Sequence, residues 1–382
     1  MKVDVAVHGR FHGFDLAAGL SRRGLLGTLL TTYPRFVVRR THGAGIPLRT
    51  APSLEILRRM GQRTGLSRAA DGFLLPRFGK FAASHLRDTD ADVVVGWSSA
   101  MKEGIPVAKD RGITVVIDRG AAHILHQNSV LDEAYRACGL DFPGIPEFVI
   151  ERELSEYEAA DKIFVPSTQA AGTFVSQGIP REKVAVVPLG VDAGTFHPVP
   201  SPTDTRKSRI LFVGAVGVQK GTPQLLRSFA PLHRDAELHL VGPVDPEFAG
   251  KLEHLPTDAV SLPGTVPKAQ IGQAYADADI FCLPSVHEGF GMVVLEAMAS
   301  GLPVVVSDQA GAADAVTHGE DGFVFPINDE EALTKHLNAL IGDPRLRREM
   351  GAAAQKTARS GKWGWDGYID RVVQALQSLS QG

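Results

Sequence analysis

Twelve short apolar runs, bounded by glycine, proline or aspartate and separated by stretches of helical period, constrain this chain most. In the first half they are Val3–Val7, Leu29–Thr32, Asp92–Gly96, Ile113–Ile117, Ile163–Val165 and Val184–Val187. In the second half they are Ile210–Val213, Leu238–Val241, Val260–Leu262, Ile280–Leu283, Pro303–Val306 and Phe323–Phe325. Runs this short and continuous suit strands buried on both faces of a parallel sheet. Their alternation with helices predicts doubly wound α/β units. The series restarts after a break that carries Pro198, Pro200 and Pro202 and has no helical period. We therefore expect two Rossmann-like doubly wound parallel-sheet domains facing across a cleft, at residues 1–188 and 207–362, joined by a linker at 189–206. Between Lys362 and Leu379, the spacing of Trp365, Ile369, Val372, Val373, Leu376 and Leu379 predicts an amphipathic helix. A helix over 363–382 would cross back and tie the domains together.

The 382 residues are enough for two to three domains, and 44% apolar with 22% charged residues is an ordinary globular balance. No window reaches 18 consecutive apolar residues, which excludes a membrane-spanning helix. The opening MKVDVAVHGR places Asp4 inside the first apolar run and reads as a strand, not a secretory signal. Cys138 and Cys282 lie far apart and form no metal or disulfide pattern, so a reducing, cytoplasmic setting is expected. Net charge is −3, but residues 22–87 hold 13 Lys and Arg against only Glu55 and Asp71. That asymmetry suits either a solvated basic face or an anionic partner, such as the inner face of a membrane bound peripherally.

Chemistry concentrates between Asp279 and Val305. A buried strand ends at Pro284, a loop carries Glu288, Gly289 and Gly291, a helix is expected from about Phe290 to Ser300, and another strand begins at Pro303. Ligands of open α/β sheets sit beyond the carboxyl ends of the strands, where this loop lies. Its glycines allow close backbone approach, and N–H groups at the helix start favour phosphate. A carboxylate aimed at phosphate would repel it, so neutral sugar hydroxyls suit Glu288 and Glu296. The first strand-to-helix turn, Val7 to Asp15, holds Gly9, Arg10, His12 and Gly13. Its glycines suit close approach to a ligand, and Arg10 and His12 would point into the cleft. It is not G-x-G-x-x-G, so a dinucleotide site has weak support. His123 and His126 lack further ligands at metal-site spacing. Cys282 sits in an apolar strand and reads as core. No nucleic-acid motif accompanies the basic segment.

The Glu288–Glu296 stretch resembles the E-x7-E signature of retaining nucleotide-sugar glycosyltransferases, the large glycosyltransferase family 4 with the two-Rossmann GT-B architecture. Other segments resemble the family in order: Val213–Gly214 with Lys220–Gly221, Val187-Pro-Leu-Gly-Val-Asp192, Pro263-Gly-Thr-Val-Pro267, Gly319–Pro326, and Lys362-Trp-Gly-Trp365. The likeness runs from about residue 150 to the end, and the first 150 residues match in architecture alone. It implies a first domain for the acceptor and a second for a nucleotide diphosphate sugar. It implies that Glu288 meets hydroxyls of the transferred sugar, Glu296 the ribose and Lys220 the diphosphate. The N–H groups of Phe290 and Gly291 would meet the distal phosphate, with Gly214, Val266, Gly289 and Met292 completing the donor site. No metal or cofactor is implied. The acceptor would be a glycan or a lipid-linked hydroxyl, in polysaccharide biosynthesis. Three positions depart from the family pattern. Ala215 stands where Arg is usual, Leu189 replaces the linker Asn, and the usual His after a first-domain strand is replaced by Asp118 or Arg119. Asp118 and His123 are therefore taken as catalytic candidates and Arg119 as a cleft residue. A sugar-nucleotide epimerase on the same fold and a non-catalytic partner with a decayed donor site are the alternatives.

Overall fold

The computed structural model describes residues 1–42, 45–64, 67–197, 206–252, 259–267 and 269–379. The first half runs β1 (Val3–Val7), α1 (Gly13–Arg22), β2 (Leu26–Thr31), α2 (Arg35–His42), β3 (Leu48–Thr50), α3 (Pro52–Arg63) and α4 (Ser67–Leu86). It continues with β4 (Val93–Trp97), α5 (Gly104–Asp110), β5 (Thr114–Asp118), α6 (Ile124–Ala137), α7 (Glu147–Ala159), β6 (Lys162–Val165), α8 (Thr168–Ser176) and β7 (Val184–Val186). The second half runs β8 (Ser208–Val213), α9 (Thr222–Phe229), β9 (Ala236–Val241), α10 (Pro246–Ala249), β10 (Val260–Gly264) and α11 (Ile271–Ala276). Then follow β11 (Ile280–Leu283), α12 (Met292–Ala299), β12 (Val304–Ser307), β13 (Gly322–Phe325), α13 (Glu330–Gly342), α14 (Pro344–Ala358) and α15 (Trp365–Leu379).

These strands form two sheets, ordered β3-β2-β1-β4-β5-β6-β7 and β10-β9-β8-β11-β12-β13, and every pairing is parallel. Each is doubly wound, so chain order reverses beside β1 and beside β8, where crevices form at the strands' carboxyl ends. The continuous apolar runs follow from burial on both faces. Val3, Val5 and Val7 of β1 pack with Phe14 and Leu20 of α1, while Ala6 turns to Phe78 and Leu86 of α4. Asp4 is buried between them but not alone, because it accepts hydrogen bonds from Thr89 Oγ1 at 2.8 Å and Thr28 N at 2.7 Å. Those bonds offset the loss of its hydration.

Three expectations are adjusted. A seventh strand, β3, lies at the edge of the first sheet. Helix α12 begins at Met292 instead of Phe290, because Gly291 takes φ 88° as the chain turns into it. The linker expected at 189–206 is not a free spacer where it is described. Val191 and Phe196 are buried in the core of the second sheet, and residues 198–205 lie outside the described residues. The crossover helix is α15, and the part of it expected over 380–382 also lies outside them. Its Tyr368, Ile369, Val372 and Leu376 complete the core on the β1 face of the first sheet. Arg22 and Arg23 of the basic segment pair across to Asp366 at 3.0 Å and Asp370 at 2.5 Å.

Candidate active site

The loop from β11 into α12 is laced to the loop from β8 into α9. Val286 N and His287 N donate to the Gln219 carbonyl at 3.0 and 3.3 Å. The next residues along each loop, Lys220 and Glu288, form an ion pair between Nζ and Oε2. Glu288 is also held through its backbone, since Gly311 N donates to its carbonyl at 3.1 Å. Two turns along, Glu296 of α12 accepts a hydrogen bond from Tyr275 Oη at 2.8 Å. Burial and the neighbouring Glu296 carboxylate both push the Tyr275 phenol well above its ordinary range, so it stays protonated and keeps donating. Phe290 is buried and stacked on Trp363. Met292 opens α12. Gly214 follows β8, and its N–H donates to Val241 O at 2.9 Å. Val266, in the turn after β10, lines a hollow with Val241 and Pro263.

The first sheet contributes the loops after β1 and β5. Asp118 ends β5, and His12 Nε2 lies 3.0 Å from its Oδ2. The His12 ring packs between Trp97, at 4.8 Å between centroids, and Tyr368 of α15, at 5.8 Å. Three separate stretches of chain thus hold one imidazole against one carboxylate. Gly9 and Gly13 bracket this turn. The Gly9 carbonyl accepts from Thr31 Oγ1 at 2.9 Å, and Arg10 is exposed.

Arg119, expected as a cleft residue, and His123, expected as a catalytic one, are both held inward. The Arg119 guanidinium is drawn inward by Glu153 at 3.0 Å, Tyr157 Oη at 3.1 Å and the Gln127 amide oxygen at 2.6 Å. His123 is buried as the N-cap of α6. Its Nδ1 accepts from Leu125 N at 3.3 Å, and its ring packs against Tyr157 and Phe174. Burial first, then the positive charge of Arg119, lowers its pKa to about 4, so the ring is neutral. His12, not His123, is the imidazole beside Asp118. Nothing in the sequence pattern announces that pair, because 106 positions separate the two residues.

The two halves meet at backbone distance. A Cβ on Gly289 would run into the Gly120 carbonyl and Ala121, so only glycine lets the β11–α12 loop reach the β5–α6 loop. Thr168 at the start of α8 donates to Asp314 from its N–H at 2.7 Å and its hydroxyl at 2.5 Å. Gln169 reaches Gln309 at 2.9 Å. Glu288 is therefore one residue from a contact with Gly120, and Gly120 is two residues from Asp118. Among the described residues, no group of three or more His, Cys, Asp or Glu converges as a metal site. Among them, no helix is long and apolar enough to cross a membrane.

Comparison with known proteins bears on the family and the fold. The family of glycosyl transferases group 1 matches residues 195–357. The chain is 31% identical over 350 residues to D-inositol 3-phosphate glycosyltransferase 1 of Catenulispora acidiphila, covering 83% of this chain and 80% of that one. It is 31% identical over 221 residues to a sulfoquinovosyl transferase of Arabidopsis thaliana, covering 54% of this chain and 43% of that one. Among solved structures, Anabaena HepE in complex with UDP superposes with a TM-score of 0.70 at 18% identity, over 99% of this chain and 100% of that one. A glycosyltransferase from Rickettsia africae gives 0.72 at 15% identity, over 100% and 99%.

Proposed function

The chain belongs to the glycosyl transferases group 1 family, with the GT-B fold, and from that premise we propose that it moves a sugar from a nucleoside diphosphate to an acceptor hydroxyl with retention at the anomeric carbon. One observation carries the reading: Glu288 and Lys220 meet at the carboxyl ends of β11 and β8, with Glu296 behind them on α12.

In this proposal the diphosphate takes Lys220 away from Glu288. An ammonium shared with a dianion no longer neutralises the carboxylate, and Glu288 turns to the hydroxyls of the sugar. N–H groups of Phe290 and Gly291, at the entry to α12, meet the distal phosphate. Glu296 binds the ribose, and Val266 lies beside the base. Charge on the departing diphosphate is met by Lys220 and backbone donors, without a metal ion. The bond from the anomeric carbon to the phosphate oxygen breaks as the acceptor oxygen bonds to that carbon on the same face. The acceptor's proton passes to a phosphate oxygen. His12 and Asp118 lie on the acceptor side, where a glycan or lipid-linked hydroxyl enters.

UDP is the first nucleotide to try, because HepE was solved with it. A panel of nucleotide sugars is screened by thermal shift, and the anomeric configuration of the product of the best donor is read by NMR. Stabilisation by one donor and an α product from an α donor support the proposal. An inverted product, or a new sugar nucleotide formed without acceptor, overturns it. Excess chelator is expected to leave the rate unchanged.

A further inference from the structure

Ser99 stands two residues beyond β4 and takes φ 70°, a left-handed conformation that residues with a Cβ seldom keep. Three non-glycine residues among the described ones have positive φ, and two of them, Phe11 and Ser99, lie in the loops after β1 and β4. Such strain persists where the surroundings over-determine it, and it clusters at sites of binding.

The surroundings here are three side chains of α7. Arg152 Nε donates to the Ser99 carbonyl at 2.9 Å. The Ser99 hydroxyl donates to Glu153 Oε1 at 2.5 Å, and its N–H donates to Glu156 Oε2 at 2.7 Å. Glu156 Oε1 also accepts from Met101 N at 2.7 Å and Lys102 N at 2.9 Å. Arg152 is fixed in turn by Glu103, through two bonds of 2.8 Å. Glu153 passes on to Arg119 at 3.0 Å and to Tyr157 Oη. Arg152, Glu153 and Glu156 are only 6%, 2% and 0% exposed. A helix with packing alone to do would carry hydrocarbon there, because well-packed apolar groups are often the more stable choice.

The clamp aims Ser98. That residue is 8% exposed, yet its hydroxyl makes no hydrogen bond among the described residues. Hydroxyls so nearly buried ordinarily have a partner. The Ser98 N–H is engaged, donating to the Asp118 carbonyl at 3.0 Å. Helices α1 and α5 pack on opposite faces of the first sheet, so the loops after β1 and β4 form two walls of the crevice beside β1. His12 belongs to one wall and Ser98 to the other.

We infer that Ser98 binds a neutral sugar ring from the wall opposite His12, and that Arg152, Glu153 and Glu156 are positioning residues acting through Ser99. A serine hydroxyl both donates and accepts, which suits another hydroxyl. The clamp has no cation to spare for an anion, since Glu103 matches Arg152 and Glu153 matches Arg119. That the ring belongs to the acceptor rests on the transfer reading, whereas its binding at Ser98 does not.

The test uses the full chain without donor, so its outcome stands apart from that of the transfer reading. Methyl α-D-glucopyranoside, methyl α-D-mannopyranoside and methyl α-D-galactopyranoside are each titrated while the backbone amide signals of Ser98 and Ser99 are followed by NMR. At least one glycoside is expected to move both signals, and inorganic phosphate to leave them in place. Ser98→Ala should weaken that glycoside about threefold to tenfold, as the loss of one neutral hydrogen bond does. Ser99→Ala and Ser99→Gly both lose the hydroxyl that Glu153 holds, but only glycine takes φ 70° freely. The alanine variant should lose affinity about threefold or more, and the glycine variant should stay within about twofold of the parent. Glu156→Gln should weaken binding as Ser99→Ala does, because an amide NH2 cannot accept from an N–H, and adding Ser99→Gly should restore it. Should Glu156→Gln not fold, the two Ser99 variants decide. Signals moved by no glycoside, signals moved by phosphate, or full affinity in Ser98→Ala overturn the binding role. Equal affinity in Ser99→Ala and Ser99→Gly overturns the positioning role.

Discussion

Lys220 and Glu288 are each other's partner, although the proposed chemistry gives them opposite targets: one the diphosphate, the other the sugar. Truncating either releases the other. Lys220→Ala should weaken nucleoside diphosphate binding about tenfold to a hundredfold, the worth of a charged hydrogen bond of roughly 1.5–3 kcal/mol. Glu288→Ala frees the ammonium, so diphosphate affinity should hold or rise while sugar transfer is lost. Calorimetry with the diphosphate, beside a transfer assay, separates the two. If Glu288→Ala binds the diphosphate as poorly as Lys220→Ala does, the division of roles is wrong.

Tyr275 and Glu296 offer a quieter test. The phenol fixes the Glu296 carboxylate without facing the reacting bond. Tyr275→Phe should raise the donor KM about fivefold to tenfold with kcat nearly unchanged, because the carboxylate loses the group that fixes it but keeps its own contact to the donor. An equal fall in kcat would place Glu296 at the transition state instead of the ribose.

His12 and Asp118 should behave as one unit. His12→Ala and Asp118→Asn are each expected to lower kcat/KM for the acceptor about tenfold or more. The double variant should fall no further than the worse single one, because contacting residues couple. Diphosphate affinity should stay constant across all three. Additive losses would show that the two act separately.

Acid should destabilise the fold for a definite reason. His8 and His123 have pKa values lowered to about 4, and His287 to about 3, with burial the largest cause in each case. In the unfolded chain such rings take up protons near 6.5. Between these values the unfolded state binds more protons, so stability falls as pH drops from about 6.5 towards 4. His123→Asn keeps a helix cap and removes one titrating ring. Its thermal midpoint should fall less steeply over that range than the parent's. Parallel slopes would mean that His123 is not neutral in the folded protein.

Much of the fold is legible in the residues because burial on both faces leaves a plain mark. Ile280–Leu283 and Val304–Val306 are apolar throughout because both faces of the sheet bury them. The strand Leu48–Thr50 escapes such reading. It is short, lies at an edge and carries Arg49 in its middle, so no apolar run is needed. The sequence singles out Glu288 and Lys220 because they sit beside glycine-marked turns after buried strands, and Glu296 because it follows Glu288 on the helix that leaves the same turn. The pairing of His12 with Asp118 is not legible, and neither is the support from Tyr368, since contacts between distant loops leave no local period.

Ile369 of the C-terminal helix occupies the space that a side chain at Gly19 would need. Tyr368, Val372 and Leu376 close the same core as β1 and α1. The order of synthesis is therefore not the order of completion. When the ribosome has finished β7, the first sheet can pair its strands, yet the part of its β1 face beside α1 that α15 covers stays open. It stays so while the whole second sheet is made, and the first-born half becomes watertight only after residue 376 has emerged. Newly made chains interrupted anywhere between the two sheets would carry that open hydrocarbon face, and they are the species to which a chaperone should bind.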